Sequence, residues 1–362
     1  MRGLTPRGKA AIRLAICLVL LVWIFNAIFS YEAKVAVDEA KVAVGSSWED
    51  YSRIDQARLA WRLGPRALWH TLRLIQPLNF AFSLIFMGST IFLGMLRWRL
   101  VLEMQGLDLS VPRATHISFV AHFFNSFLLG STGGDLMKAF YAARETHHKK
   151  AEAVTTVFVD RLIGLWSMLA FAGVMMIPSR AIVFQRGRVF LLSLVVLAML
   201  AGCSAVLVLA LWGHGALARA LARPLRRFSK WAAIEKSLAA CKHFQKRGFL
   251  VKTVSISMAL NVCCVLQFWI LSRGLGLGVA PMTLFAIVPM IISIAAIPFT
   301  PNGLGLREGA CVLMLSSPLI GASRTTALSL SLLAYAGSLF WSLIGGLVYL
   351  GTRDREQLSS VE

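Results

Sequence analysis

The stretch Ile297-Pro298-Phe299-Thr300-Pro301-Asn302-Gly303-Leu304-Gly305-Leu306-Arg307-Glu308-Gly309 interrupts an apolar run that extends from Val279 to Ile320. Its two prolines remove backbone donors and its three glycines relax the chain, so the run cannot form one straight membrane helix. In hydrocarbon, the unpaired backbone groups of such a break are tolerated only inside protein or beside a water-filled cavity. The stretch therefore predicts a broken helix at membrane depth, a feature typical of transporter binding sites.

Two charged side chains, Arg307 and Glu308, lie inside this break. Ionised residues at membrane depth are costly to bury and often mark substrate or ion pathways, so we interpret both as candidate binding residues. A re-entrant turn held together by a structural ion pair is the alternative interpretation.

The composition of the chain is that of a polytopic membrane protein. Of its 362 residues, 57% are hydrophobic and 15% are charged, and the mean hydropathy is +0.70. The formal net charge of +20 could indicate a nucleic-acid partner, but the basic residues lie between apolar spans. We therefore expect membrane lipids with anionic headgroups as partners, and no nucleic acid. The six cysteines show no CxxC spacing, so no metal site or disulfide framework is predicted.

The apolar spans divide the chain into regions with different predicted roles. We expect a transmembrane anchor in residues 1–30, for which a cleaved signal peptide is the alternative, and an amphipathic extracytoplasmic arm in residues 31–76. Residues 77–352 form the predicted transmembrane domain, with a basic cytoplasmic loop in residues 213–252, and residues 353–362 form a polar tail. The predicted fold is an all-α polytopic membrane protein with about seven transmembrane helices and two broken or re-entrant helical hairpins, which we interpret as candidate inverted repeats.

A second glycine-rich break follows the third apolar segment, which runs from Arg113 to Leu129. The break, Gly130-Ser131-Thr132-Gly133-Gly134-Asp135, lies between short apolar pieces. It predicts a re-entrant hairpin or two half-helices that carry Asp135 into the membrane. Two interrupted segments in the two halves of a membrane protein point to a central binding site built from internal repeats.

Three local patterns give more specific predictions. In the arm, Gly64-Pro65 is expected to divide an interfacial helix into two pieces. Arg97-Trp98-Arg99 is interpreted as an aromatic and basic anchor that closes the second span, which begins at Pro77, at the membrane interface. Asp160 and Arg161 are neighbours on a long apolar helix and project about 100° apart, so we expect each to face a different partner.

The distribution of basic residues predicts the orientation of the chain. When both broken elements return to the side they left, the segments assigned to the cytoplasm carry roughly twice as many Lys and Arg residues as the outer segments. This asymmetry favours a multi-pass protein with cytoplasmic N- and C-termini.

Four groups of residues occur in a fixed order along the chain: Phe123-Phe124-Asn125; Gly133-Gly134-Asp135 with Lys138, Tyr141 and Arg144; Asp160-Arg161-Leu162-Ile163-Gly164-Leu165; and Pro301 to Gly309. Together they resemble the transmembrane domain of lysylphosphatidylglycerol synthases/flippases. The resemblance implies a location in the bacterial inner membrane. In bifunctional members this domain looks like the lipid flippase, while a separate soluble domain transfers an aminoacyl group from tRNA. We expect the membrane half alone here, so aminoacyl transfer is not carried over.

The leading hypothesis is a flippase that moves a phospholipid or polyprenyl-phosphate-type lipid across the inner membrane through a central polar cavity. Arginine suits this task because its planar guanidinium donates two parallel hydrogen bonds to phosphate. No catalytic residue, metal ion or cofactor is predicted. The predicted substrate-binding residues are Asn125, Gly133, Gly134, Asp135, Lys138, Asp160, Arg161, Asn302, Gly303, Arg307 and Glu308.

The rival class is a membrane enzyme or accessory factor of lipid-linked glycosyl transfer, in which Asp135 or Glu308 would act as a base. The sequence has no GxxxxGK[ST], HExxH or GxSxG motif to support an enzyme of those classes. A scaffold that acts through the arm is a third option. The identity of the lipid, the direction and energy source of transport, and the oligomeric state, for which a homodimer is one option, are left open.

Overall fold

The structure is a computed structural model that describes residues 26, 29–30, 33–34, 36–37, 48–127, 133–145, 150–184, 187–212, 247–297, 303 and 305–358. Most of the predicted anchor and most of the basic loop lie outside the described residues. The helices, numbered in chain order, are α1 (Arg53–Leu74), α2 (Pro77–Met104), α3 (Val111–Phe127), α4 (Gly133–Glu145), α5 (Lys150–Met176), α6 (Arg180–Val183), α7 (Arg188–Trp212), α8 (Arg247–Gly274), α9 (Pro281–Ala295), α10 (Leu306–Leu315) and α11 (Arg324–Leu358).

Long apolar helices dominate the described part of the chain, which contains no β-strand. Five helices there are long and apolar enough to cross a membrane, namely α2, α5, α7, α8 and α11. The all-α polytopic membrane fold is therefore confirmed. The third apolar segment is α3, whose 17 described residues reach about 25 Å.

The chain separates into two compact units, Met1–Asn79 and Phe80–Glu362. In the first unit α1 continues through Pro65, so the predicted division at Gly64-Pro65 is wrong. A proline removes one backbone hydrogen bond, and packing around it offsets that loss. Phe29 supplies the packing: it lies against Gly64 closely enough to exclude any side chain there, and its ring stacks edge-on with Trp61 at 5.2 Å between centroids.

In the second unit the same order of helices occurs twice: a long helix, two half-helices and a second long helix. The first set is α2 to α5 and the second is α8 to α11. The leading helices, α2 and α8, each have 28 residues. Two residues after the end of each helix lies a glycine with positive φ, Gly106 at 65° and Gly276 at 71°, and the amide that follows this glycine donates to a carbonyl of the helix's last turn.

Helices of one set pack against helices of the other set, in the pairing that an internal two-fold axis would produce. Helix α3 of the first set packs against α11 of the second, and α9 of the second packs against α5 of the first. Three candidate spans, α2, α5 and α7, precede α8 among the residues that the structure describes, and with that number the second set runs in the opposite direction when both hairpins return to their own side. The fold therefore supports the predicted inverted repeats.

Candidate functional site

Helices α3 and α4 form an antiparallel hairpin. At its open end, Arg113 at the start of α3 donates two hydrogen bonds, of 2.9 and 2.6 Å, to the carboxylate of Glu145 at the end of α4. At its tip, the Gly134 amide donates to Asn125 Oδ1 at 2.8 Å. The first break is thus a helical hairpin with Asp135, in the first turn of α4, near its tip, and its re-entry into the membrane stays a prediction.

Five charged side chains from three helices meet beside this tip. We call them the charged cluster: Arg97 of α2, Asp135 and Lys138 of α4, and Asp160 and Arg161 of α5. Arg97 Nε donates to Asp160 Oδ1 at 2.7 Å, and Arg161 Nε lies 3.1 Å from Asp135 Oδ2. The prediction that the neighbours Asp160 and Arg161 face different partners is confirmed.

Arg97 is the member of the cluster that sequence reasoning missed. The interpretation of Arg97-Trp98-Arg99 as an interface anchor is wrong, because α2 continues to Met104 and Trp98 is fully buried. Arg97 Nη1 also donates to Ser257 Oγ of α8 at 3.1 Å. Its guanidinium lies over Gly164, where an added Cβ would come within 2.6 Å of Nη2. In the sequence, the signal for this contact was Gly164, one turn after Asp160, because a glycine leaves room for a bulky side chain from another helix.

The charged cluster is closed at one end and open at the other. The Arg97 and Asp160 side chains are 11% and 10% exposed, whereas those of Arg161 and Asp135 are 48% and 24% exposed. At the closed end Arg97 joins α2 to Asp160 of α5 and to Ser257 of α8, so we interpret this end as structural. The open end is accessible to a ligand.

Lys138 completes the charged cluster, and within the described ranges it has no hydrogen-bond or ion-pair partner. Its ammonium nitrogen lies 4.9 Å from the centroid of the Trp98 ring, a cation–π contact. Both Asp135 and Asp160 act on it electrostatically, but neither carboxylate forms a hydrogen bond or ion pair with it among the described residues. With three cations and two anions, the cluster carries a formal charge of +1.

The second break places Arg307 and Glu308 at the start of α10. We call this pair, with its contacts, the Arg307 site. Glu308 Oε2 accepts a hydrogen bond from the Gly305 amide at 2.6 Å and Oε1 lies 2.5 Å from Arg307 Nη2. Arg307 Nε lies 3.2 Å from Ser331 Oγ, and its guanidinium carbon lies 4.7 Å from the Tyr335 ring centroid. Both charged residues are buried, so this site is closed.

The predicted site residues therefore fall into two groups. The hairpin tip and charged cluster contain Asn125, Gly133, Gly134, Asp135, Lys138, Asp160 and Arg161, and the second break contains Gly303, Arg307 and Glu308. Asn302 lies outside the described residues. Within the described ranges no hydrogen bond or ion pair joins the two groups, and no cluster of His, Cys, Asp and Glu is placed to hold a metal ion. A single cavity lined by both groups stays a prediction.

Helix α11 connects the two groups. The first hairpin contacts it through His122, whose Nε2 lies 3.2 Å from the Ser338 carbonyl oxygen, and the Arg307 site contacts it at Tyr335. Tyr335 and Ser338 are three residues apart, about 4.5 Å along the helix axis. Both hairpins thus contact α11 within one turn of each other.

Replacing Glu308 by glutamine should lower the free energy of unfolding by about 3 kcal/mol, because Arg307 would keep a buried charge without a counter-ion. The measurement is denaturant unfolding in detergent micelles. Glu103→Gln is the matched control: it breaks a half-exposed pair with Arg99 and should cost less than about 0.5 kcal/mol. Equal effects of the two substitutions would contradict the assignment of a sealed pair.

Comparison with known proteins adds a family context to this geometry. The sequence profile of the family described as "Lysylphosphatidylglycerol synthase TM region" matches residues 40–346, a range that includes both hairpins and the charged cluster. A curated relative, described as a UPF0104 membrane protein of Methanothermobacter thermautotrophicus, is 26% identical over 314 residues. That alignment covers 78% of this chain and 86% of the relative.

Proposed function

Because this chain belongs to the family of lysylphosphatidylglycerol synthase transmembrane regions, we propose that it is a flippase that moves a phospholipid or polyprenyl-phosphate-type lipid across the bacterial inner membrane. The observation that carries the proposal is the charged cluster at the tip of the re-entrant hairpin, closed at Arg97 and open at Arg161. Charged groups are rare inside membrane domains and are retained where they serve a polar ligand. Cytoplasmic N- and C-termini are part of this proposal and rest on the distribution of basic residues.

The open end of the charged cluster has the chemistry to bind a lipid phosphate. Arg161 presents a half-exposed guanidinium, whose planar fork fits two phosphate oxygens. Asp135 holds that guanidinium in place until a ligand arrives, and the start of α4 beside it adds the partial positive charge of a helix N-terminus. The closed Arg97–Asp160 pair fixes α5 against α2 while the open end exchanges ligand.

An apolar groove gives the acyl or prenyl chains a path beside the cluster. It has a volume of about 580 Å³ and runs between α2, α8 and α11, with Ile85, Leu93, Cys263 and Trp341 in its walls. Arg97 lies one helical turn beyond Leu93 on the same face of α2. The groove can therefore hold lipid chains one helical turn from the Arg97 end of the charged cluster.

The two repeats supply the two conformations that transport requires. In this structure the first break is open at Arg161 and the second is closed at Arg307. Related repeats exchange their conformations when a transporter switches between the two sides of the membrane. In the other state we expect the Arg307 site to open and the charged cluster to close. The chain has no ATP-binding motif, so an ion gradient or downhill equilibration drives the movement in this proposal.

The test is transfer of a fluorescent phospholipid between leaflets of vesicles that contain the purified protein. The native chain should move the lipid, and Arg161→Gln should slow the movement by at least about tenfold, the effect of losing one charge-assisted hydrogen bond. Arg188→Gln, a change at an exposed arginine at the start of α7, is the matched control and should leave the rate unchanged. A folded native protein that moves no lipid would contradict the proposal. One that covalently changes the lipid would contradict it and favour the enzyme alternative.

A further inference from the structure

We propose that the transported lipid has a headgroup of net negative charge and that Lys138 is the residue that selects it. This inference rests on the proposed function, because it names the substrate class of the same site. The shared chemistry is a phosphate whose charge is not balanced by an amine, as in an acidic glycerophospholipid or a polyprenyl phosphate.

The first observation is that the carboxylates at both breaks already have arginine partners. Asp160 pairs with Arg97 and Asp135 pairs with Arg161 in the charged cluster. In the Arg307 site, Glu308 pairs with its neighbour Arg307 and also accepts the Gly305 amide. A cationic headgroup, such as that of an aminoacylated lipid, would therefore have to displace an arginine from its carboxylate, which is most unfavourable at the closed pairs.

The second observation is that, within the part of the charged cluster that the structure describes, a cation lacks a hydrogen-bond or ion-pair partner. Lys138 contacts the face of the Trp98 ring, and among the described residues its ammonium has no hydrogen-bond acceptor. Trp98 itself is fully buried, and its indole N–H also has no hydrogen-bond partner in the described part of the chain. Lys138 thus keeps unused donors within the charged cluster, over the Trp98 ring.

Charge balance makes this arrangement selective. The cluster has an excess charge of +1, and in a medium of low dielectric such an excess attracts an anion and repels a cation much more strongly than in water. A phosphate bound at Arg161 would neutralise this excess. A zwitterionic headgroup brings its own amine, which the cluster repels. Lys138 therefore discriminates between lipids by charge, whereas Arg161 binds the phosphate that they share.

The experiment compares four labelled lipids in the vesicle assay: phosphatidylglycerol, phosphatidylcholine, lysylphosphatidylglycerol and a polyprenyl phosphate. The native chain should move at least one of the two anionic lipids about tenfold faster than phosphatidylcholine and lysylphosphatidylglycerol, as expected for one charge-assisted contact. The faster of the two anionic lipids identifies the source of the phosphate. Lys138→Met should abolish the preference, Lys138→Arg should retain it, and Lys138→Glu should reverse it in favour of lysylphosphatidylglycerol. Lys252→Met, at an exposed lysine of α8, is the matched control and should change nothing.

The outcomes separate this inference from the proposed function. If the folded native chain moves none of the four lipids, the proposed function fails. If it moves all four at similar rates, or the cationic lipid fastest, the function stands and the charge selection is overturned. Unchanged selectivity in folded Lys138→Met would also overturn the role of Lys138. Should that variant fail to fold, the comparison of Lys138→Arg with Lys138→Gln decides the same point.

Discussion

Replacing Arg97 by methionine should destabilise the folded protein by about 3–5 kcal/mol, one of the two largest effects that we expect. The substitution leaves the buried Asp160 carboxylate without its counter-ion and Ser257 without its donor on α2. The loss is large because an unpaired charge in a low-dielectric interior has neither water nor a partner to stabilise it.

A double substitution separates the pair from its surroundings. Arg97→Met combined with Asp160→Leu removes both charges, so it should cost less than Arg97→Met alone. Denaturant unfolding in micelles measures both variants, and Arg113→Met provides the control at a half-exposed pair with Glu145. If the double variant is less stable than Arg97→Met, the pair does not act as a unit and the closed end of the cluster is misassigned.

Replacing Gly134 by alanine should open the tip of the first hairpin and reduce lipid transfer to background. An added Cβ would collide with the Ala121 carbonyl oxygen and lie 2.6 Å from Asn125 Cγ, so α4 must move away from α3. Overpacking of this kind costs about 1–3 kcal/mol or more, because a backbone atom cannot rotate aside. The amide of residue 134 would then lose its bond to Asn125.

Gly309→Ala is the matched control for this prediction. Gly309 lies in α10, and an added Cβ there meets nothing within 4 Å. Alanine should therefore be neutral or stabilise α10 by up to about 1 kcal/mol. Thermal unfolding and lipid transfer of both variants are the measurements. Normal transfer by Gly134→Ala would show that the close contact between α3 and α4 is not required.

The two breaks were predictable because their cause is local. Proline and glycine between apolar segments interrupt a helix wherever the segment lies, and α3–α4 and α9–α10 are the half-helices that this chemistry requires. The need of Asp160 and Arg161 for separate partners also followed from helical geometry alone. The sequence indicated the two repeats only through the pair of breaks, because the sequences of the two halves differ.

The partner of Asp160 could not be predicted because it depends on tertiary packing. Arg97 lies 63 residues earlier in the chain, and a basic residue near the end of an apolar span is more often an interface anchor. The same limit explains Gly64-Pro65, where packing against Phe29 outweighs the tendency of proline to end a helix. Local sequence predicts where a helix is weak, whereas its neighbours determine whether it continues.

The central claim is that the charged cluster lies in the bilayer interior at the tip of the first hairpin. The test uses a variant without native cysteines and compares two spin labels. One is at Leu136, which is 69% exposed and follows Asp135, and the other is at Val111, at the hairpin's open end. Measured by accessibility to oxygen and to a water-soluble nickel complex, the label at position 136 should lie at least about 10 Å deeper, as the length of α4 requires. Labels at equal, headgroup depth would contradict the account.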